Sequence, residues 1–217
     1  MLIFLIEEIL IMKKQEFELF LDELKLQVDF AFYSLNMFKQ TYNAILSGNG
    51  NQQVEFWYYL QNYVVELANV SKILFISKKS YEKENAFRLR KAKRDFIIDV
   101  LDIKSIDAIK NKQMRNSLEH IDEKLEEFAK KDQQVIANRN IGPSNAVMID
   151  NKPYLSDDSK QLRNYLTDSD VFFLFGKRFD VAETMRELID IKKKIELGQE
   201  KLDKGDFNDL FDNGKTC

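Results

Sequence analysis

The sequence predicts a mainly α-helical bundle, up-and-down in layout, with a small strand-containing C-terminal segment and a final helix. Three observations carry that expectation. Only 7 Gly and 2 Pro occur in 217 residues, too few turn-formers for an all-β sandwich or barrel. Apolar residues step by three and four along the first 130 positions, the period of amphipathic helices. Beyond Lys131 that period gives way to short apolar runs set between turn signals, the pattern of short strands.

Charge and cysteine usage narrow the function classes. With 33 Lys and Arg against 36 Asp and Glu, the net charge is −3. That balance argues against a general nucleic-acid coat, which needs a positive field, and leaves room for a local basic patch. The single cysteine is Cys217, the last residue, so no intrachain disulfide forms and a cytoplasmic location is the default expectation. One Cys and one His cannot build a Cys/His zinc site, and neither a metal nor a cofactor is expected. Met1 to Met12 reads MLIFLIEEILIM. It lacks a basic leader and a cleavage site, and it falls short of the ~20 residues of a membrane span. It reads as an extra helical turn packed on the bundle or on a second subunit. Alternatively it reads as the product of an upstream start, with Met12-Lys13-Lys14 an ordinary beginning. No membrane partner is expected.

The first helix is expected from Glu16 to Leu46, with Phe17, Phe20, Leu24, Val28, Ala31, Leu35, Phe38, Tyr42 and Ile45 at helical spacing. The run Ser47-Gly48-Asn49-Gly50-Asn51 ends it. A second helix aligns Val54, Trp57, Leu60, Val64, Leu67, Ser71 and Leu74. Its Trp57-Tyr58-Tyr59 cluster could stack bases, but the spacing favours helix packing. Lys78 to Arg94 follows, where eight Lys or Arg against Glu82 and Glu84 leave +6. This stretch is either a solvated, salt-bridged face or a footprint for phosphates centred on Arg88, Arg90, Lys91 and Arg94. It runs into Phe96, Ile97, Ile98 and Leu101, which close a third helix on the core.

Ser105 is the expected N-cap of a fourth helix whose inward stripe is Met114, Leu118, Ile121, Leu125 and Phe128. Strands are expected at Val135-Ile136-Ala137, at Ala146 to Ile149 and at Val171 to Phe175. A last helix starts at Asp180, with Glu183 completing a capping box, and stops near Gly198. These elements divide the chain into a helical bundle (1–131), a small strand-plus-helix extension packed on it (132–200) and a loose acidic tail (201–217).

Most chemistry-bearing patterns are missing. Gly48-Asn49-Gly50 lacks the lysine and preceding strand of a phosphate loop. The acids of the fourth helix, Glu119, Asp122, Glu123, Glu126 and Glu127, would need paired Glu-x-x-His motifs to hold metals in a bundle. They read as a solvated face. What remains is Arg115-Asn116-Ser117-Leu118-Glu119-His120, which holds the only histidine of the chain. At 100° per residue, His120 lies roughly 115° from the stripe centre, Asn116 about 155°, and Arg115 about 105° on the other flank. Asn116 and His120, four apart, can touch. All three face away from the bundle's own core, as catalytic groups, as interface groups or as inert surface.

An all-α bundle with Arg-x4-His on a late helix, and a polar residue directly after the arginine, resembles the HEPN superfamily. The resemblance spans about residues 15 to 130. It implies a homodimer in which two copies of this helix meet, metal-independent RNA cleavage, and work in toxin–antitoxin or phage-defence systems beside an antitoxin or other partner protein. Arg115, Asn116 and His120 are then the catalytic set. The tyrosine that one toxin branch carries two positions after the histidine is Asp122 here, so control through that tyrosine is not implied. The chemistry suits the residue types. Histidine moves protons near neutrality, arginine stabilises developing phosphorane charge, and asparagine orients either the imidazole or a phosphate oxygen. A symmetric dimer supplies a second histidine. Two other readings stay open: a catalytically silent binding protein that holds RNA or a partner, and a helical dimeric interaction protein.

Overall fold

The computed structural model describes residues 12–48, 52–104, 106–111, 113–130, 137–143, 146–149, 152–155 and 161–212. The expectations for Met1 to Ile11, for Ser105, for Val135-Ile136 and for the last five positions lie outside these residues. The protein is mostly helical, with a small sheet and a C-terminal helix, as the sequence pattern predicts.

Helix α1 (Lys14–Leu46) and helix α2 (Gln53–Leu74) follow the periodicity closely and pack along one another. Phe17, Leu21, Leu24, Val28, Ala31, Leu35 and Phe38 of α1 are buried, as are Phe56, Trp57, Leu60, Tyr63, Val64 and Leu67 of α2. Helix α3 (Glu84–Val100) begins later than the basic run. It buries only Ile97 fully, because most of its faces carry charge.

The expected fourth helix is broken twice, which corrects the continuous stripe drawn for it. Helix α4 (Asp107–Lys110) stops at Asn111, helix α5 (Gln113–Glu119) stops at His120, and helix α6 (Ile121–Ala129) restarts beyond it. The breaks reset the rotation of the face, so Ile121 and Leu125 end up exposed and Ser117 buried, while Phe128 is buried as the stripe predicts. No side chain caps α4 from its own N-cap, Ile106. Instead the Glu187 carboxylate accepts Ala108 N–H at 3.0 Å and Ile109 N–H at 2.8 Å. Burial pushes the Glu187 carboxyl above the usual carboxylate range, against the pull of those two amides.

Strands β1 (Ala137–Gly142), β4 (Gln161–Leu166), β5 (Val171–Leu174) and β6 (Lys177–Asp180) form a sheet in the order β1-β4-β5-β6. Strand β1 runs parallel to β4, and the other neighbours are antiparallel. Strands β2 (Ala146–Ile149) and β3 (Lys152–Leu155) make a separate antiparallel pair. The sheet docks on α1 and α2 through aromatic edges: Tyr165 meets Phe38 at 5.5 Å and Phe56 at 5.4 Å, and Phe172 meets Trp57 at 6.0 Å.

Helix α7 (Val181–Lys204) opens on Asp180, whose side chain accepts the Glu183 N–H at 2.8 Å. It does not stop near Gly198. A Cβ there would come within 2.4 Å of Leu101 Cδ2, so Gly198 permits close helix packing. The helix ends instead at Gly205, whose φ of +79° is the left-handed conformation of a glycine C-cap. Replacing Asp180 with alanine is expected to cost about 1 kcal/mol of stability, read as a lower urea midpoint, with Asp180→Asn retaining most of it.

Leu188, Ile191 and Ile195 of α7 share one hydrophobic core with α1, α2 and Tyr165 of the sheet. The expected extension (132–200) is thus packed into the same core as the helices before it. The tail is also corrected as far as Asp212. Helix α8 (Asn208–Asp212) follows a buried Phe207, and Phe207 and Phe211 pack on Phe17 at 6.1 and 5.5 Å. Two aromatic anchors outweigh the acidic composition that suggested a loose end. Among the described residues, no helix is long and apolar enough to cross a membrane.

Candidate functional site

The corner between α5 and α6 carries the motif. Helix α5 is seated by Ser117, fully buried, whose hydroxyl donates to Gln113 O at 2.9 Å, and by Leu118 against the core. An ion pair of 2.9 Å from Lys72 to Glu119 ties the end of α5 to α2. His120 N–H then donates to Asn116 O at 3.1 Å, and the backbone turns at φ −116°, ψ 46°. The His120 carbonyl accepts Lys124 N–H at 3.0 Å, which starts α6. His120 therefore sits where one helix hands over to the next, a position the unbroken wheel did not foresee.

The imidazole is 57% exposed, and its Nδ1 lies 3.8 Å from Glu123 Oε2. Asn116, one turn earlier, is exposed. Both therefore stand outside the core, as the helical geometry predicts. Arg115 occupies α5 directly before Asn116, and the placement of its guanidinium lies outside the described side chains. Such a corner offers an imidazole that solvent and a large ligand can both reach, with an amide one turn away.

The basic stretch is more heavily engaged than its composition suggests. Arg88 Nε pairs with Glu84 at 3.2 Å, and Lys91 with Asp95 at 2.5 Å. Arg90 grips Glu82 with two bonds of 2.8 and 2.7 Å and also reaches Ser77 O. Those guanidinium bonds hold the Glu82 carboxyl below its ordinary range. Arg94 stacks over the Phe20 ring at 3.7 Å, and its burial lowers the guanidinium's pKa. The four cations thus separate into two kinds. Arg90 and Arg94 brace the fold, while Arg88 and Lys91 have exposed side chains at 71% and 56%. Exposed ion pairs are worth little, so a phosphate can displace their carboxylates.

One cleft lies between this helix, the end of α2 and the last residue of α4. Lys91, Arg94 and Ile98 of α3 face Phe75 and Lys110 across about 370 Å³. Lys110, the last residue of α4, is a cation that sequence reasoning missed. Its link to α3 is made only by tertiary packing, and its proximity to Arg115 along the chain was the one available signal. Among the described residues, no group of three His, Cys, Asp or Glu side chains is placed to hold a metal ion. In comparisons with known proteins, no family model, no curated protein and no solved structure matches the chain.

Proposed function

We propose that this protein is a HEPN-like endoribonuclease that cleaves RNA without metal, acts as a homodimer in the cytoplasm, and serves as a toxin or phage-defence effector. The observation that carries the reading is the exposed His120 at the α5–α6 corner, one turn from exposed Asn116. The cleft between Lys91, Arg94 and Lys110 lies on the segment that leads into α5 and offers a path for backbone phosphates.

In the proposed step the RNA 2′-oxygen attacks the adjacent phosphorus and the 5′-oxygen leaves, giving a cyclic phosphate. One protein group takes the 2′-hydroxyl proton and another returns a proton to the departing 5′-oxygen. His120 supplies one of these roles and His120 of a second copy the other. Arg115 offsets charge on the phosphorane oxygens, and Asn116 orients the imidazole or a phosphate oxygen. Ile121 and Leu125, exposed at 38% and 49% directly after His120, provide the apolar pair that a second copy would cover.

A silent RNA- or partner-binding protein is the second reading. It is favoured by that same apolar pair, which serves a protein interface with or without chemistry. Catalysis and binding separate experimentally. Charge reversal at Arg88 and Lys91 together should weaken RNA binding and flatten its salt dependence, lowering the log–log slope by about 2. Arg90 and Arg94 are left intact in this test because their replacement would disturb the fold. Filter binding over a salt series reads the result, and an unchanged slope would remove α3 from the RNA path.

A further inference from the structure

A second cleft opens between the first turn of α2 and the paired strands β1 and β4, with a volume of about 410 Å³. Arg139, Arg163, Trp57, Tyr58, Gln53 and Gln61 line it. Neither arginine has a carboxylate or hydrogen-bond partner among the described residues. Burial, then the charge of Arg139, lowers the Arg163 guanidinium below its ordinary pKa. Two cations share one cleft, and no carboxylate among the described residues pairs with either.

The backbone is bent to place one of them. In the parallel pairing, Asn138 faces Arg163 and Asn140 faces Asn164, so Arg139 is the extra residue of a bulge. Its φ is +58°, the left-handed region that residues with a Cβ avoid. Bulges re-aim side chains next to sites, and backbone strain of this kind collects at ligand clamps. Beyond the bulge, Asn140 Nδ2 donates to Asn164 Oδ1 at 2.9 Å and re-pins the two strands.

The third wall adds donors and a ring. Gln52, the N-cap of α2, makes no side-chain capping bond, and Gln53 and Val54 of the first turn line the cleft. A helix N-terminus favours negative charge. Trp57 is only 4% exposed, and its indole Nε1 finds no acceptor among the described residues. Tyr58 is 59% exposed at the rim. A cation pair, a helix N-terminus and an exposed aromatic ring together match a ligand with a phosphate at one end and a flat ring at the other.

We propose that this cleft binds a nucleotide, with the phosphate between Arg139 and Arg163 and the base stacked on Tyr58. The volume suits one nucleotide. The site is separate from His120 and does not rest on RNA cleavage.

Trp57 is the only tryptophan of the chain, so all tryptophan emission comes from a residue that lines this cleft. Titration with uridine 5′-monophosphate should change that emission saturably. Inorganic phosphate should bind about tenfold more weakly, since it lacks the stacking base, and uridine should not bind. Arg163→Ala should weaken nucleotide binding at least about tenfold through loss of a charge-assisted bond. Arg139→Gly should do the same while leaving the melting temperature unchanged or higher, because glycine adopts φ of +58° without strain. Tyr58→Ala should erase the advantage of the nucleotide over phosphate. The proposal is overturned if millimolar nucleotide leaves Trp57 emission unchanged. It is equally overturned if folded Arg139→Gly and Arg163→Ala proteins bind as the native chain does.

Discussion

His120→Ala is expected to lower RNA cleavage about 10²–10⁴-fold and to leave the fold intact. The side chain is 57% exposed, and its Nδ1 is 3.8 Å from Glu123 Oε2. No core packing is lost, so the change in stability should stay within about 0.5 kcal/mol. Arg115→Ala should reduce cleavage comparably through lost phosphorane stabilisation. Mixing native and His120→Ala protomers tells whether one site draws on two chains. A site that needs His120 from both copies is dead in the mixed dimer, so activity falls faster than the native fraction, whereas independent sites lose activity in proportion to it. Cleavage by both variants at the native rate would eliminate the nuclease reading and leave the binding protein in its place.

The largest expected loss of stability is at Phe56. Its ring is fully buried and meets Phe38 at 5.4 Å, Trp57 at 5.1 Å, Tyr165 at 5.4 Å and Tyr42 at 6.2 Å. Those partners come from α1, α2 and β4, so Phe56 is the place where helices and sheet are joined. Phe56→Ala removes a large apolar group and leaves a cavity between rigid elements, at a cost of about 3–5 kcal/mol. Urea unfolding should show a single transition at a much lower midpoint, with helical circular dichroism and Trp57 emission changing together. Two separated transitions would contradict a core shared by helices and sheet.

Long periodic elements were legible and short ones were not. Helices α1 and α2 follow directly from apolar spacing, and Asp180 opens α7 as its acceptor side chain and the Glu183 position require. The breaks at Asn111 and His120 left no mark in the periodicity, because what holds α4 in place is Glu187 from α7, 79 residues on from Ala108. Strand β4 reads QLRNYL and β6 reads KRFD, too polar to alternate cleanly. Their pairing is set by β5, which is buried along its whole length.

The candidate sites divide in the same way. That Asn116 and His120 face outward was legible from a helical wheel, since α5 is regular up to Glu119. The engagement of the basic stretch was not, because Arg94 finds Phe20 and Lys93 finds Glu16 only after α3 packs on α1. Arg139 and Arg163 are 24 residues apart in sequence and meet through a bulge that no composition signal marks.

The most direct test of the central claim is the chemistry of the RNA ends. The native protein is incubated with a mixed RNA pool in EDTA and the products are mapped. The nuclease reading predicts cleavage that persists in the chelator, leaves cyclic-phosphate and 5′-hydroxyl ends, and vanishes with His120→Ala. An intact RNA pool, or cleavage that stops in EDTA and leaves 5′-phosphate ends, would contradict it.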